Sequence, residues 1–82
     1  MPTIKRIGGL RVVIYPNDHR PAHVHVIGNG CEAMFNLHYP DGPLELRENF
    51  GFTQQQLGLI KADLANDLAY LCQEWRKIHG HP

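Results

Sequence analysis

The dipeptide Asn29-Gly30 constrains the fold of this chain more than any other feature of the sequence. Two residues that accept positive φ, placed between alternating apolar runs, are typical of a two-residue β-hairpin turn. Such a turn fixes the pairing of the flanking strands. Three cross-strand pairs follow from it: Gly28 with Cys31, Val26 with Ala33 and Val24 with Phe35. The apolar partners all fall on one face, so the pattern predicts a sheet with one buried side.

Further turn signals extend this sheet in both directions. Gly8-Gly9 separates two β-branched runs and predicts a first hairpin. Prolines at both ends of the segment 16–21 predict an ordered loop before the next strand. A turn around Asp41-Gly42 would place Leu37 opposite Leu46 and continue the apolar face. Together these signals predict an antiparallel sheet of four to five strands built from β-hairpins.

A helix is predicted after the sheet. Thr53 is typical of an N-cap, and Gln56 completes a capping box with it. Gly80 supplies a stop signal. Between them, apolar residues recur at helical spacing: Leu57, Ile60, Leu64, Leu68, Leu71, Trp75 and Ile78. The prediction is a single α+β domain over residues 1–82, in which the sheet packs on one long C-terminal helix with Trp75 in the core.

Composition excludes several classes of protein. Eight Lys and Arg balance eight Asp and Glu, so the net charge is near zero and gives no general attraction to nucleic acid or membranes. No apolar run approaches the length of a signal peptide or a membrane span. The two cysteines, Cys31 and Cys72, lack C-x-x-C spacing, which indicates reduced thiols. We therefore expect a cytoplasmic protein with no membrane association.

The predicted register gives the second face of the sheet a polar, histidine-rich character. Because side chains alternate along a strand, His23 and His25 point to the same side, away from the leucine stripe. The loop residues Asp18 and His19 lie close enough in sequence to border them. The residues expected on this polar face are His23, His25, Met34, Asn36, His38, Glu45 and Arg47.

Three functional hypotheses and one structural one account for this polar face. The first is a divalent metal site, in which His23 and His25 share an ion and His38, His19 or Asp18 completes the ligand set. We expect Asp18 to orient one of the rings, since a carboxylate that accepts from one ring nitrogen fixes the tautomer of that ring and raises the basicity of its other nitrogen. The metal is not the favoured hypothesis at this point, because H-x-H spacing is common.

The second hypothesis is metal-independent catalysis. A histidine acting as general acid or base beside Arg47, with Asn36 as a donor, is the equipment of a ribonuclease-like hydrolase. The candidate catalytic residues are then Asp18, His19, His23, His25, His38 and Arg47. The third hypothesis is a surface that binds another protein, without catalysis. The structural interpretation is a solvated sheet face whose histidines form cross-strand hydrogen bonds.

The segment Asn17 to Val26 resembles a family of small bacterial domains of unknown function with the signature N-D-H-x-P-P-H-x-H-V. The likeness extends from Met1 to about Trp75, since these proteins also close with a leucine-rich helix that ends in Trp. Ala22 stands where the second Pro is usual. The resemblance implies a gene pair of toxin-antitoxin type, and with it a protein partner and RNA as a target. We therefore expect a histidine-centred domain that forms one component of such a module.

The predicted helix also carries an expectation about partners. From Gln54 to His79 an unbroken helix would run ~39 Å, whereas five strands span only ~19 Å between their outer axes. Its apolar stripe would then extend beyond the sheet, and a protein partner or a homodimer would cover it. The alternative is a bend near Asn66-Asp67 that folds the second half of the helix back over the sheet.

Overall fold

The computed structural model of this chain describes residues 3–38 and 42–80. Five strands form one antiparallel sheet in the order β1-β2-β3-β4-β5, and two helices follow it. The predicted α+β class is therefore confirmed. The elements are β1 Thr3–Ile7, β2 Leu10–Val13, β3 His23–Gly28, β4 Cys31–Asn36, β5 Glu45–Phe50, α1 Gln54–Asn66 and α2 Leu68–His79.

The hairpin predictions from the two early turns are confirmed. Gly8-Gly9 joins β1 to β2, with Ile7 opposite Leu10. Asn29 and Gly30 have φ values of 53° and 76°, as a type I′ turn requires, and they join β3 to β4. All three predicted cross-strand pairs of this second hairpin are present.

The pairing predicted for the next hairpin is wrong. Leu46 lies opposite Phe35, not Leu37, and the register of β4 and β5 also shifts between Met34 and Phe35. Leu37 is fully buried beyond the end of β4, where its N–H donates to Ala22 O at 2.9 Å. Leu46 remains 39% exposed. The predicted turn around Asp41-Gly42 is described only in part, because Asp41 lies outside the described residues.

The core lies between the sheet and the helices. Thr53 caps α1 through the predicted capping box with Gln56, and Gly80, in the left-handed region at φ 85°, ends α2. Cys72 is buried and Cys31 half-buried, and both are free thiols. The fully buried larger side chains are Trp75, Phe35, Ile14, Leu37, Leu64, Leu71, Val12, Val13, Val24, Val26 and Cys72. No helix among the described residues is long and apolar enough to cross a membrane.

The prediction of one long helix is wrong, and the alternative of a bend near Asn66-Asp67 is confirmed. The helix breaks at Asp67, whose φ and ψ of −116° and 22° are outside the helical range. The longest dimension of the Cα trace is 32 Å, which is shorter than the ~39 Å of an unbroken helix. Leu71 and Trp75 are fully buried in the core of their own chain. The overhanging stripe that was the premise of the predicted interface is therefore absent from α2, and a protein partner stays a prediction.

A cation on the edge strand β1 holds the break in place. Lys5 lies opposite Val12, so its side chain points toward the helices, where it pairs with Asp63 on α1 and with Asp67 at the break. Burial alone would lower the pKa of Lys5, but hydrogen bonds to the two carboxylates outweigh it and raise that pKa above the ordinary 10.5. The contact joins residues about sixty positions apart.

This ion pair predicts a loss of stability at alkaline pH. A raised folded-state pKa stabilises the fold below pH 10.5, and the contribution disappears as pH rises through the folded-state pKa. We expect Lys5→Met to lower the free energy of unfolding by about 1 kcal/mol at neutral pH. Urea unfolding from about pH 8 to pH 11 should show a steeper decline for the wild type than for this variant. Parallel declines would contradict the assignment.

Candidate functional site

Two histidines lie side by side at the start of β3. The register pairs His23 with Asn36 and His25 with Met34, on the face of the sheet opposite Val24 and Val26. The two imidazole rings make an edge contact, with their centroids 5.1 Å apart. The prediction that alternation would bring both rings to one face of the sheet is confirmed.

The loop before β3 brings a carboxylate to these rings. Asp18 N–H donates to Tyr15 O at 3.0 Å, and Tyr15 N–H donates to Asp18 Oδ2 at 2.9 Å. This reciprocal turn orients the Asp18 side chain. Its Oδ1 lies 3.1 Å from His25 Nε2 and 3.6 Å from His23 Nε2. The loop therefore places one carboxylate against the Nε2 atoms of both rings.

The remaining nitrogen of each ring is held from the other side. His23 Nδ1 lies 2.8 Å from Pro21 O, and His25 Nδ1 lies 3.2 Å from Glu32 Oε2. Because a carbonyl and a carboxylate only accept, each Nδ1 carries the hydrogen, a tautomer assigned here from the partners. A carboxylate also faces His25 Nε2, so this ring either donates from both nitrogens as an imidazolium or, when neutral, turns its Nε2 lone pair toward Asp18, as a neutral His23 does.

The environment of the histidines differs from the predicted solvated face. His23 and His25 are only 4% and 8% exposed. The ring of Tyr15 packs against His25 at 4.8 Å, and the ring of Trp75 packs against His23 at 5.4 Å. The expectation that the histidines stay away from the leucine stripe is therefore wrong for His23. The reason is that β3 begins at His23, at the end of the sheet that Trp75 of α2 reaches.

Three residues of this site were not predicted. Glu32 supports His25, Tyr15 covers it, and His79 anchors the end of α2 by donating from Nε2 to Tyr15 O at 3.2 Å. His79 also stacks on Trp75, with a centroid separation of 4.0 Å. A signal existed for Glu32, because the hairpin register places it diagonally across from His25. The contacts of His79 depend on the helix break, which the sequence supports only as the alternative to one long helix.

His38 belongs to a second, more exposed cluster. Its Nε2 donates to Glu45 Oε1 at 2.8 Å, and Asn36 Nδ2 donates to the same oxygen at 3.3 Å. The hydrogen bonds from His38 and Asn36 lower the pKa of the Glu45 carboxyl. His38 itself adopts a positive φ of 51° just beyond β4. Asn36 therefore lies between this cluster and its cross-strand partner His23.

The six predicted catalytic residues do not form one group. Asp18, His23 and His25 converge, and each offers a ligand atom within 4.8 Å of the others. His38 pairs with Glu45 instead. His19 and Arg47 have exposed side chains, the first in the loop and the second at the register shift of β5. The structure thus defines a nearly buried Asp-His-His centre, held by Pro21 O and Glu32.

This architecture is that of a small α+β domain with a histidine-carboxylate centre beneath one loop. The chain belongs to the family described as "Domain of unknown function (DUF4160)", whose model matches residues 9–76. The predicted membership of a family of small domains of unknown function is thereby confirmed. No curated protein matches the chain, and no solved structure does.

Proposed function

We propose that this chain is a small metal-binding domain in which Asp18, His23 and His25 hold one divalent transition-metal ion. The observation that carries the proposal is the direction of the two rings. Each Nδ1 is committed to an acceptor, and each Nε2 is turned toward the carboxylate of Asp18.

The electrostatics of this arrangement favour a cation. In the neutral rings the Nε2 lone pairs oppose the negative oxygens of Asp18, which is repulsive at 3.1 and 3.6 Å in a site shielded from water. A proton on the Nε2 atom of one ring removes the repulsion between that ring and Asp18 only. A metal ion between the three atoms relieves both repulsions at once, because every member is then a ligand to the same positive charge.

The distances and the supporting contacts suit a transition metal. Ligands at about 2.0–2.1 Å in a tetrahedral shell lie about 3.3 Å from one another. The separations from Asp18 to the two rings, 3.1 and 3.6 Å, bracket that value, and all three ligand atoms lie within 4.8 Å of one another. Two imidazoles and one carboxylate suit Zn²⁺, Fe²⁺ or Co²⁺ better than Mg²⁺ or Ca²⁺. Pro21 O and Glu32 supply the outer hydrogen bonds that fix the tautomer of metal-bound histidines.

Metal binding has more structural support than metal-independent hydrolysis of RNA. That hypothesis needs a histidine and a cation on one accessible surface, whereas His23 and His25 are buried and Arg47 lies apart on β5. Membership of a toxin-antitoxin-type pair and action on RNA remain predictions from the resemblance, because both depend on other molecules. A metal centre is compatible with either component of such a pair.

Titration of chelator-treated protein with Zn²⁺ tests the proposal. We expect one saturable site per chain, measured by calorimetry. Because only the folded chain presents the three ligands together, Zn²⁺ at about 100 times its Kd should stabilise the fold by about 2.7 kcal/mol. For a domain of this size that raises the melting temperature by about 10 °C or more.

The exposed histidines provide the matched control for this titration. The variants His19→Gln and His38→Gln should keep the full affinity and the full rise in melting temperature, since neither ring lies in the centre. An absence of saturable binding in the wild type would refute the proposal. So would a site that either control variant removes, because the ion would then lie elsewhere.

A further inference from the structure

Asn36 carries a buried acceptor beside the proposed metal centre. Its Nδ2 donates to Glu45 Oε1, which assigns the other side-chain atom as Oδ1. Among the described residues Oδ1 has no hydrogen-bond partner, although it is shielded from solvent. Buried acceptors are almost always paired, so a donor is expected at this position.

The position of Asn36 connects this acceptor to the centre. Asn36 is the cross-strand partner of His23, and both side chains lie on the face of the sheet opposite Val24 and Phe35. Directly opposed residues have Cβ atoms about 5 Å apart. His23 cannot be the missing donor, because its Nδ1 bonds to Pro21 O and its Nε2 faces Asp18.

The ligand set also leaves room for a donor. Three protein ligand atoms converge within the described part of the chain, whereas a closed tetrahedral site needs four. The neighbouring carboxylates are already engaged, Glu32 by His25 and Glu45 by His38. Three protein ligands plus a water molecule is the arrangement of open, reactive metal sites.

We infer that the fourth ligand of the metal is an exchangeable water molecule that donates a hydrogen bond to Asn36 Oδ1. The inference rests on the proposed metal centre and deepens it, since it makes the site open to exogenous ligands. The side chains of Asp18 and His25 are 12% and 10% exposed, so the opening is narrow. It admits water and small anions that replace it, and the bound water has the chemistry of a hydrolytic nucleophile.

Azide binding to the Co²⁺-loaded full chain tests this inference. Co²⁺ gives visible absorption bands that report its ligands, and azide exchanges with a bound water but not with a protein side chain. We expect saturable spectral changes with the wild type. In Asn36→Leu, Co²⁺ should still bind, and azide should bind about fivefold more tightly, because the competing water has lost one hydrogen bond that azide cannot make. His38→Gln should match the wild type within about twofold.

The outcomes separate the inference from the proposal beneath it. No Co²⁺ bands at all would refute the metal centre itself. Co²⁺ bands that azide does not alter in the wild type would overturn the exchangeable water ligand but not the metal centre. This measurement uses the wild type alone and does not depend on the folding of a variant. A response that appears only in His19→Ala would also overturn it, by identifying His19 as the fourth ligand. Equal azide affinity in the wild type and Asn36→Leu would overturn the hydrogen bond to Asn36.

Discussion

Replacing His25 with Gln should lower the affinity for Zn²⁺ by at least about 100-fold. Loss of a residue that merely supports a ligand already costs about 10–100-fold in metal affinity. His25 is itself a ligand in our account, and its Nδ1 also donates a hydrogen bond to Glu32. Competition with a chromophoric chelator measures the change. His23→Gln should produce a loss of the same order, because its Nε2 faces the same carboxylate.

The His25→Gln variant also distinguishes a metal centre from a purely structural hydrogen-bond network. If His25 serves only as a protonated bridge between Asp18 and Glu32, His25→Gln will reduce the stability of the metal-free fold, and the wild type will show no Zn²⁺ affinity to lose. In our account the stabilisation by Zn²⁺ disappears in this variant, while it persists in His38→Gln. Equal Zn²⁺ affinity in the wild type and His25→Gln would contradict the ligand assignment.

Trp75→Ala should lower the free energy of unfolding by about 3–5 kcal/mol. Trp75 is fully buried in the core cluster, and its ring also contacts His23 and stacks on His79. Small domains have about 5–15 kcal/mol of stability in total, so the loss is a large fraction of the whole. Urea unfolding followed by far-ultraviolet circular dichroism measures it.

A graded series makes the test of Trp75 specific to packing. Trp75→Phe keeps an aromatic ring and should lose less stability than Trp75→Ala. Leu59→Ala provides a control on the other helix, because Leu59 is 69% exposed and its truncation should change stability by no more than about 0.5 kcal/mol. Similar losses for Trp75→Ala and Leu59→Ala would contradict the role of Trp75 as the anchor of α2.

Local signals were sufficient for the hairpins and for the start of the helix. Asn29-Gly30 sets its register through its own backbone angles, and Thr53 with Gln56 forms a self-contained cap. The break at Asp67 is only an alternative from the sequence, suggested by the excess length of an unbroken helix, because no Pro or Gly marks it. The ion pairs that Lys5 makes with Asp63 and Asp67 come from the other end of the chain. Local periodicity does not reveal contacts of that range.

Some features of the candidate site also follow from local sequence signals, whereas others depend on contacts between distant parts of the chain. Alternation alone places His23 and His25 together, and sequence proximity nominated Asp18 as their partner, which the structure confirms as a contact. The burial of His23 and His25 could not be predicted, because the rings of Tyr15 and of Trp75 on α2 cover them. Until the break in the helix is known, no sequence pattern places Trp75 near His23.

Crystallography of the Zn²⁺-loaded protein, with anomalous data collected at the zinc absorption edge, tests the central claim most directly. Our account predicts one anomalous peak per chain, about 2.0–2.2 Å from Nε2 of His23, Nε2 of His25 and a carboxylate oxygen of Asp18. A peak at His38 and Glu45 instead would contradict it. So would crystals soaked in Zn²⁺ in which these three side chains keep their contacts without an anomalous peak between them.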